Sequence, residues 1–202
     1  MKKIFFFLLF FVCLSDSILP QSDTSIVLLS SVDSTIIQDV RYATENNFTG
    51  KVLYPTGKVY LRKIAAEKLS AANQFLKKNY NLSLKIFDGY RPLSVQKKLW
   101  VIMPDERYVA NPAKGSRHNR GAAVDITLID NKGNEIEMGT GYDDFTEKAH
   151  PDYEGISDEV KHNRKILKEV MMNFGFDIFP TEWWHFDFTG WENFSILDIE
   201  IN

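Results

Sequence analysis

Two short runs in this chain alternate apolar and polar residues, and each places ionisable groups on its polar side. In Val124-Asp125-Ile126-Thr127-Leu128, the two-residue period of a strand puts Val124, Ile126 and Leu128 on one face and Asp125 and Thr127 on the other. In Trp184-His185-Phe186-Asp187-Phe188 the same period sets His185 and Asp187 against Trp184, Phe186 and Phe188. A carboxylate backed by core residues needs a partner for its charge. The same arithmetic therefore gives two polar faces able to meet across one cleft.

A polar loop, Asn111 to Gly121, leads into the first strand and carries His118. Glu182 stands three residues before His185 and follows Pro180-Thr181, where a turn can aim its carboxylate into the cleft. His118, Asp125 and His185 together make a nitrogen and oxygen ligand set suited to a catalytic zinc with a fourth position left open, and Glu182 supplies a base. The Glu-x-x-His spacing differs from the His-Glu-x-x-His of other zinc peptidases, where both histidines lie on one helix. Taken singly, a strand aspartate reads as a hydrogen-bonded edge residue and a histidine beside tryptophans as packed core. The conjunction of the four favours the metal.

Four histidines exist in the chain. His150, before a proline in a polar loop, and His162, on the polar face of a helix, are expected to be solvated. Arg91 ends a strand in Asp88-Gly89-Tyr90-Arg91-Pro92 and has two readings. One is a surface salt bridge, and the other is a fixed guanidinium steadying an oxyanion as water attacks a carbonyl. Trp183, Trp184 and Trp191 allow a carbohydrate platform, with core packing the stronger expectation.

The N-terminus reads as an export signal over residues 1–17. Lys2 and Lys3 precede an unbroken apolar run from Ile4 to Leu14, and Ser15-Asp16-Ser17 offers a cleavage site. The apolar run is short for a membrane span. Lipidation at Cys13 is disfavoured by the bulky Val12 before it. Cleavage after Ser17 leaves 22 basic against 26 acidic residues, a net charge of −4, and removes the only cysteine. A metal site in the remaining chain then has no thiolate available. Export to a bacterial periplasm or cell envelope is the expected location. The acidic balance argues against nucleic acid as a partner, since no basic surplus exists to displace counterions.

Hydrophobic residues make up 44% of the 202 and aromatic residues 13%, enough for one globular domain. Residues 18–35 read as a tether and 36–202 as the domain, with no membrane span. Ile36 to Tyr42 reads as a short strand and Asn46 to Gly50 as a turn. Arg62 to Asn79 reads as a helix, with Ile64, Ala65, Leu69, Ala72, Phe75 and Leu76 at helical spacing. Leu82 to Phe87 reads as a strand, and Ser94 is placed to cap a helix running to Trp100. Ala123 to Ile129 is the clearest core strand, and Ser157 to Phe174 a second helix stopped by Gly175. Helices and short strands without βαβ repeats predict an α+β fold around a small antiparallel sheet.

With these residues in place, a family resemblance emerges. Ser116-x-His118-x-x-Gly121-x-Ala123-x-Asp125 followed by Glu182-x-x-His185 resembles the zinc D-alanyl-D-alanine peptidases, the group of the VanX dipeptidases and VanY carboxypeptidases. Arg41-Tyr42-Ala43-Thr44-x-Asn46-Asn47-Phe48-Thr49-Gly50, Asp88-Gly89-Tyr90-Arg91-Pro92 and Met138-Gly139-x-x-Tyr142-Asp143 narrow the likeness to the dipeptidase branch. The resemblance covers about residues 35 to 190. It implies one zinc held by His118, Asp125 and His185, Glu182 as general base and acid, and Arg91 at the transition state. It further implies Asp143 and Tyr42 near the ammonium group of a zwitterionic dipeptide, and Ser116 near its carboxylate. The competing expectations are a carboxypeptidase or endopeptidase acting on peptidoglycan stem peptides, and a zinc-dependent binding module without catalysis. An exported dipeptidase would meet its substrate outside the inner membrane, which favours cell-wall salvage over antibiotic resistance.

Overall fold

The structure is a computed structural model that describes residues 25–202. The export signal expected at 1–17, Cys13 and residues 18–24 of the expected tether lie outside the described residues. The rest of the segment read as a tether is folded. Ile26–Leu28 (β1) pairs antiparallel with Tyr60–Arg62 (β3), and Leu29–Val32 (α1) follows with Leu29 wholly buried. Its apolar patch, Ile26 to Leu29, is what holds it against the domain rather than in solvent.

Five strands form the main sheet in the order β2 (Ile37–Gln38), β4 (Ser83–Asp88), β5 (Ala123–Ile129), β7 (Glu182–Phe188) and β6 (Phe176–Phe179). All neighbours are antiparallel except β2 and β4, so the sheet is mixed rather than wholly antiparallel. A parallel pair needs a long crossover. Here it runs through β3 and the helix Lys63–Tyr80 (α2). The strand expected over residues 36–42 is only two residues long, because the chain tightens into a 3-10 turn at Arg41–Ala43.

Helix α2 buries Ala65, Leu69, Ala72 and Leu76 of the stripe expected from sequence, together with Ala66, and ends at Asn81 in the left-handed region with φ +57°. Lys77 and Lys78 in its last turn suit the negative end of the helix dipole. Phe75, expected on the buried stripe, is 37% exposed and stacks on Tyr80 and Phe174. The last helix, Asp158–Asn173 (α4), is capped by Ser157, whose Oγ accepts from Val160 N at 3.2 Å. α2 and α4 pack on one another and on β4 and β6.

Leu93–Ile102 (α3) departs from expectation at its start. Ser94 lies inside the helix, and its backbone N–H donates instead to Asp198 Oδ1 at 2.8 Å, over a hundred residues away in the chain. β5 is buried along its whole length. Val124, Ile126 and Leu128 join the core with Leu84, Ile86, Trp184 and Phe186. Trp183 and Trp184 are buried, so the carbohydrate platform does not form. His162 is exposed as expected, whereas His150 is half-buried.

Candidate active site

Strand register builds the site before any side chain is considered. Asp88 on β4 stands opposite Asp125 on β5, and Asp125 stands opposite His185 on β7. Directly opposed residues share a face of the sheet, so the three form one polar row across three strands. His118 arrives from the 3-10 turn His118–Arg120, which Gly121 closes at φ +66°. A Cβ on Gly121 would fall 2.5 Å from Ile26 Cδ1, so both the turn and the packing require glycine there.

The three candidate ligand atoms form a tight triangle. His185 Nδ1 lies 3.0 Å from Asp125 Oδ1, His118 Nε2 lies 3.2 Å from His185 Nδ1, and His118 Nε2 lies 3.4 Å from Asp125 Oδ1. All three residues are buried. Their outer ring nitrogens are already committed. His118 Nδ1 is 2.7 Å from the carbonyl of Gly89, and His185 Nε2 is 2.9 Å from Asp187 Oδ1. Each must donate to those oxygens, which leaves an inward lone pair on each ring. Asp125 Oδ2 accepts from Tyr142 Oη at 3.0 Å, leaving Oδ1 for the triangle.

With both imidazoles neutral, three acceptors face one point, an arrangement that calls for a cation, either a proton or a metal ion. Tetrahedral zinc with bonds of about 2.0–2.1 Å would space its ligands roughly 3.3 Å apart, which these distances match. The electrostatics agree. Burial would depress the pKa of His185, yet its bonds to Asp125 and Asp187 outweigh that and push it up to about 10. Burial also works against ionised Asp125, but His118 and His185 hold it well below the usual carboxylate range. The row prefers to carry a positive charge, and a divalent ion competes for the place of the proton.

All eight residues singled out from sequence line one cavity of about 100 Å³. That is well below the roughly 300–1,000 Å³ of pockets that take drug-sized ligands. Glu182, the first residue of β7, follows a two-residue turn at 180–181. Its Oε2 sits 3.8 Å from His185 Nδ1, beyond hydrogen-bond reach. Burial pushes Glu182 up to about 8, opposed by His185 and Arg91 and assisted by Asp125 and Asp143.

Arg91 does make a salt bridge, but a buried one at the cavity wall rather than the surface bridge that was one of its two readings. Its Nε and Nη2 donate to Asp88 Oδ2 at 3.0 and 2.6 Å, and its Nη1 donates to Gln96 Oε1 at 2.9 Å. Ser116 Oγ accepts from His118 N at 3.2 Å. Tyr42 Oη lies 3.4 Å from Asp143, a residue held at φ +61°. Burial, with Asp125 adding and Arg91 opposing, lifts Asp143 to about 7.

Sequence reasoning missed Asp88, Gln96 and Tyr142 as members of the site and left Asp187 without a role. Asp187 had a visible signal, two residues beyond His185 on the same strand face. Tyr142 and Asp88 lay inside quoted segments beside residues that were chosen. Gln96 had none, being one polar residue on a short helix.

The chain matches the Peptidase_M15 family, described as D-ala-D-ala dipeptidase, over residues 22–195. The chain belongs to this M15 dipeptidase family. D-alanyl-D-alanine dipeptidase of Escherichia coli K12 is 33% identical to it over 86% of this chain and 90% of that protein. The D-alanyl-D-alanine dipeptidase of Enterococcus faecium is 32% identical over 73% of this chain and 83% of its own length. Among solved structures, VanYB in complex with D-alanine-D-alanine aligns at 18% identity with a TM-score of 0.43, over 66% of this chain and 74% of that one.

Proposed function

We propose that this M15 chain hydrolyses the D-alanyl-D-alanine dipeptide to two D-alanines with one zinc ion held by His118, Asp125 and His185. The observation that carries the metal is the convergence of three lone pairs whose parent groups are each oriented by a second partner, Gly89, Asp187 and Tyr142. A zinc ion there supplies Lewis acidity, polarising a carbonyl oxygen and lowering the pKa of water.

The chain's own residues do the rest. Glu182, lifted to about 8 by burial, accepts a proton from the attacking water and delivers it to the departing amine. Arg91, fixed by Asp88 and Gln96, presents a cation to the carbonyl oxygen as negative charge grows on it. Asp143, raised to about 7, is a half-buried carboxylate short of a counter-ion, and the ammonium group of a dipeptide is the cation it lacks. Tyr42 steadies that end, and Ser116 takes the carboxylate. A longer peptide offers an uncharged amide at Asp143 and leaves the carboxylate unpaired.

The cavity wall favours the same small substrate. Phe48, Tyr108 and Phe145 line it from three separate segments, with ring centroids 5.3 Å apart for Phe48–Phe145 and 4.8 Å for Tyr108–Phe145. We also propose that the chain is exported, on the strength of the pattern in residues 1–17. The deciding experiment incubates the zinc-loaded protein with D-Ala-D-Ala and, separately, with a pentapeptide stem ending in D-Ala-D-Ala. Release of D-alanine from the dipeptide alone supports the reading, and release from the pentapeptide moves the chain to carboxypeptidase chemistry.

A further inference from the structure

The segment 194–199 touches none of the reacting groups, yet it is bonded to the residues on either side of two of them. Leu197 N donates to the carbonyl of Asn119, the residue after His118, at 2.8 Å. Leu197 O accepts from Leu93 N, two residues past Arg91, at 3.2 Å. Tyr90, the residue before Arg91, donates its hydroxyl to Ile199 O at 3.1 Å and accepts from Ile199 N at 2.7 Å. Asp198 receives the first-turn N–H of α3, which begins two residues after Arg91. Further up, Arg62 Nη2 donates to Ser195 O at 3.0 Å, and Arg120 Nη1 donates to Phe194 O.

The two clasped segments are also bonded to each other. Arg91 N donates to His118 O at 3.0 Å, and Asn119 Nδ2 donates to Arg91 O at 2.8 Å. Little of the strap's value is burial. Phe194 is buried, but Ser195, Asp198 and Ile199 are exposed. Its polar bonds therefore do more to fix the relative placement of two loops than to enlarge the core. Most of it also lies beyond residue 195, where the family match ends.

We propose that residues 194–199 form a positioning strap, with Tyr90 and Asp198 as its anchors, that sets the distance between the Arg91 guanidinium and the His118 side of the metal triangle. The proposal rests on Arg91 acting at the transition state. An error of about 1 Å in such a placement costs on the order of a hundredfold in rate. Loosening the strap should lower kcat and leave KM nearly alone, because neither anchor meets the substrate.

The test is the full-length, zinc-loaded double variant Tyr90→Phe/Asp198→Ala, made in the wild-type and in the Arg91→Ala background. In the first, kcat on D-Ala-D-Ala is expected to fall about tenfold with KM within about twofold, and with zinc content and thermal midpoint retained. In the second, no further loss is expected, since a group that acts through Arg91 has nothing left to act on. Unchanged kcat, or an equal loss in both backgrounds, overturns the strap. If the double variant fails to fold, exposed Asp198→Ala alone carries the same comparison. Full activity in Arg91→Ala sinks the role given to Arg91, whereas an impaired Arg91→Ala beside a fully active strap variant sinks the strap only.

Discussion

Asp88 and Asp125 stand directly opposite one another on β4 and β5, two buried carboxylates in one row of the sheet. Like charges facing across a strand pair are destabilising, so each needs a cation of its own. Asp88 has Arg91, held at 2.6 Å. Asp125 faces the inward nitrogens of two imidazoles, which meet its charge with a proton or leave the place to a bound metal cation. Stripping the metal with a chelator should therefore lower the thermal midpoint. A site loaded a thousandfold above its dissociation constant contributes about 4 kcal/mol, or about 10 °C for a domain of this size. Calorimetry with and without chelator checks this, and Asp125→Asn should show no further drop on chelation.

Glu182 Oε2 lies 3.8 Å from His185 Nδ1, and the proposed mechanism makes it a base rather than a fourth ligand. Glu182→Gln should keep its metal and lose about 10²–10⁴ in kcat. Metal content by mass spectrometry beside steady-state rates separates the two effects. Loss of metal in this variant would make Glu182 a ligand.

Asp187 accepts the outer nitrogen of His185 and is itself 3.5 Å from Arg117. Burial opposes its charge, but His185 and Arg117 hold its pKa below the ordinary value. Asp187→Asn should weaken metal binding by about 10–100-fold, measured by competition with a chromophoric chelator. The rate at saturating metal should change far less.

Asp143 must be ionised to pair an ammonium group, and it sits near 7 in the free protein. Substrate affinity should accordingly fall as pH drops through about 7, where the carboxylate takes up its proton. In Asp143→Asn, KM should rise by about 10–100-fold at neutral pH, from losing a charged hydrogen bond, and the pH dependence of KM in that range should vanish. A KM profile across pH 5–9 for both proteins is the measurement.

Asp33 ties α1 to α2. Its Oδ2 accepts from Asn73 Nδ2 at 2.9 Å and its Oδ1 from Thr35 N at 2.9 Å. Burial opposes its charge, yet these bonds and Lys77 hold its pKa below an ordinary aspartate's 3.8. A depressed folded-state pKa stabilises above 3.8 and loses that contribution as pH falls through the folded value. Asp33→Ala should cost about 1–3 kcal/mol at neutral pH. Urea titrations at pH 7 and pH 3 should show a smaller gap between mutant and parent at the lower pH.

Much of the site could be read in the chain because its residues obey local periodicities. The two-residue strand repeat puts Asp125 and His185 each on the polar face of its own strand, expected to meet across a cleft, and the sheet register instead sets them directly opposite each other on neighbouring strands. α2 follows from its apolar spacing, and α4 lies within the helix expected from Ser157 to Phe174. The short elements were not legible. β1 and β3 are three residues each and stable only against one another, and β6 exists because β7 pairs with it. Ser94 was a sound cap by local rules, but Asp198 reached the helix terminus first.

The sequence by itself determined which groups are the candidates for the chemistry, because ligand type, strand period and the Glu-x-x-His spacing are local properties. Tertiary structure decided how those groups are held. Gly89 orients His118, Asp187 orients His185, Tyr142 orients Asp125, and Asp88 with Gln96 fixes Arg91. Those pairings depend on sheet register and loop approach, which arise from burying one shared core, and no local spacing encodes them.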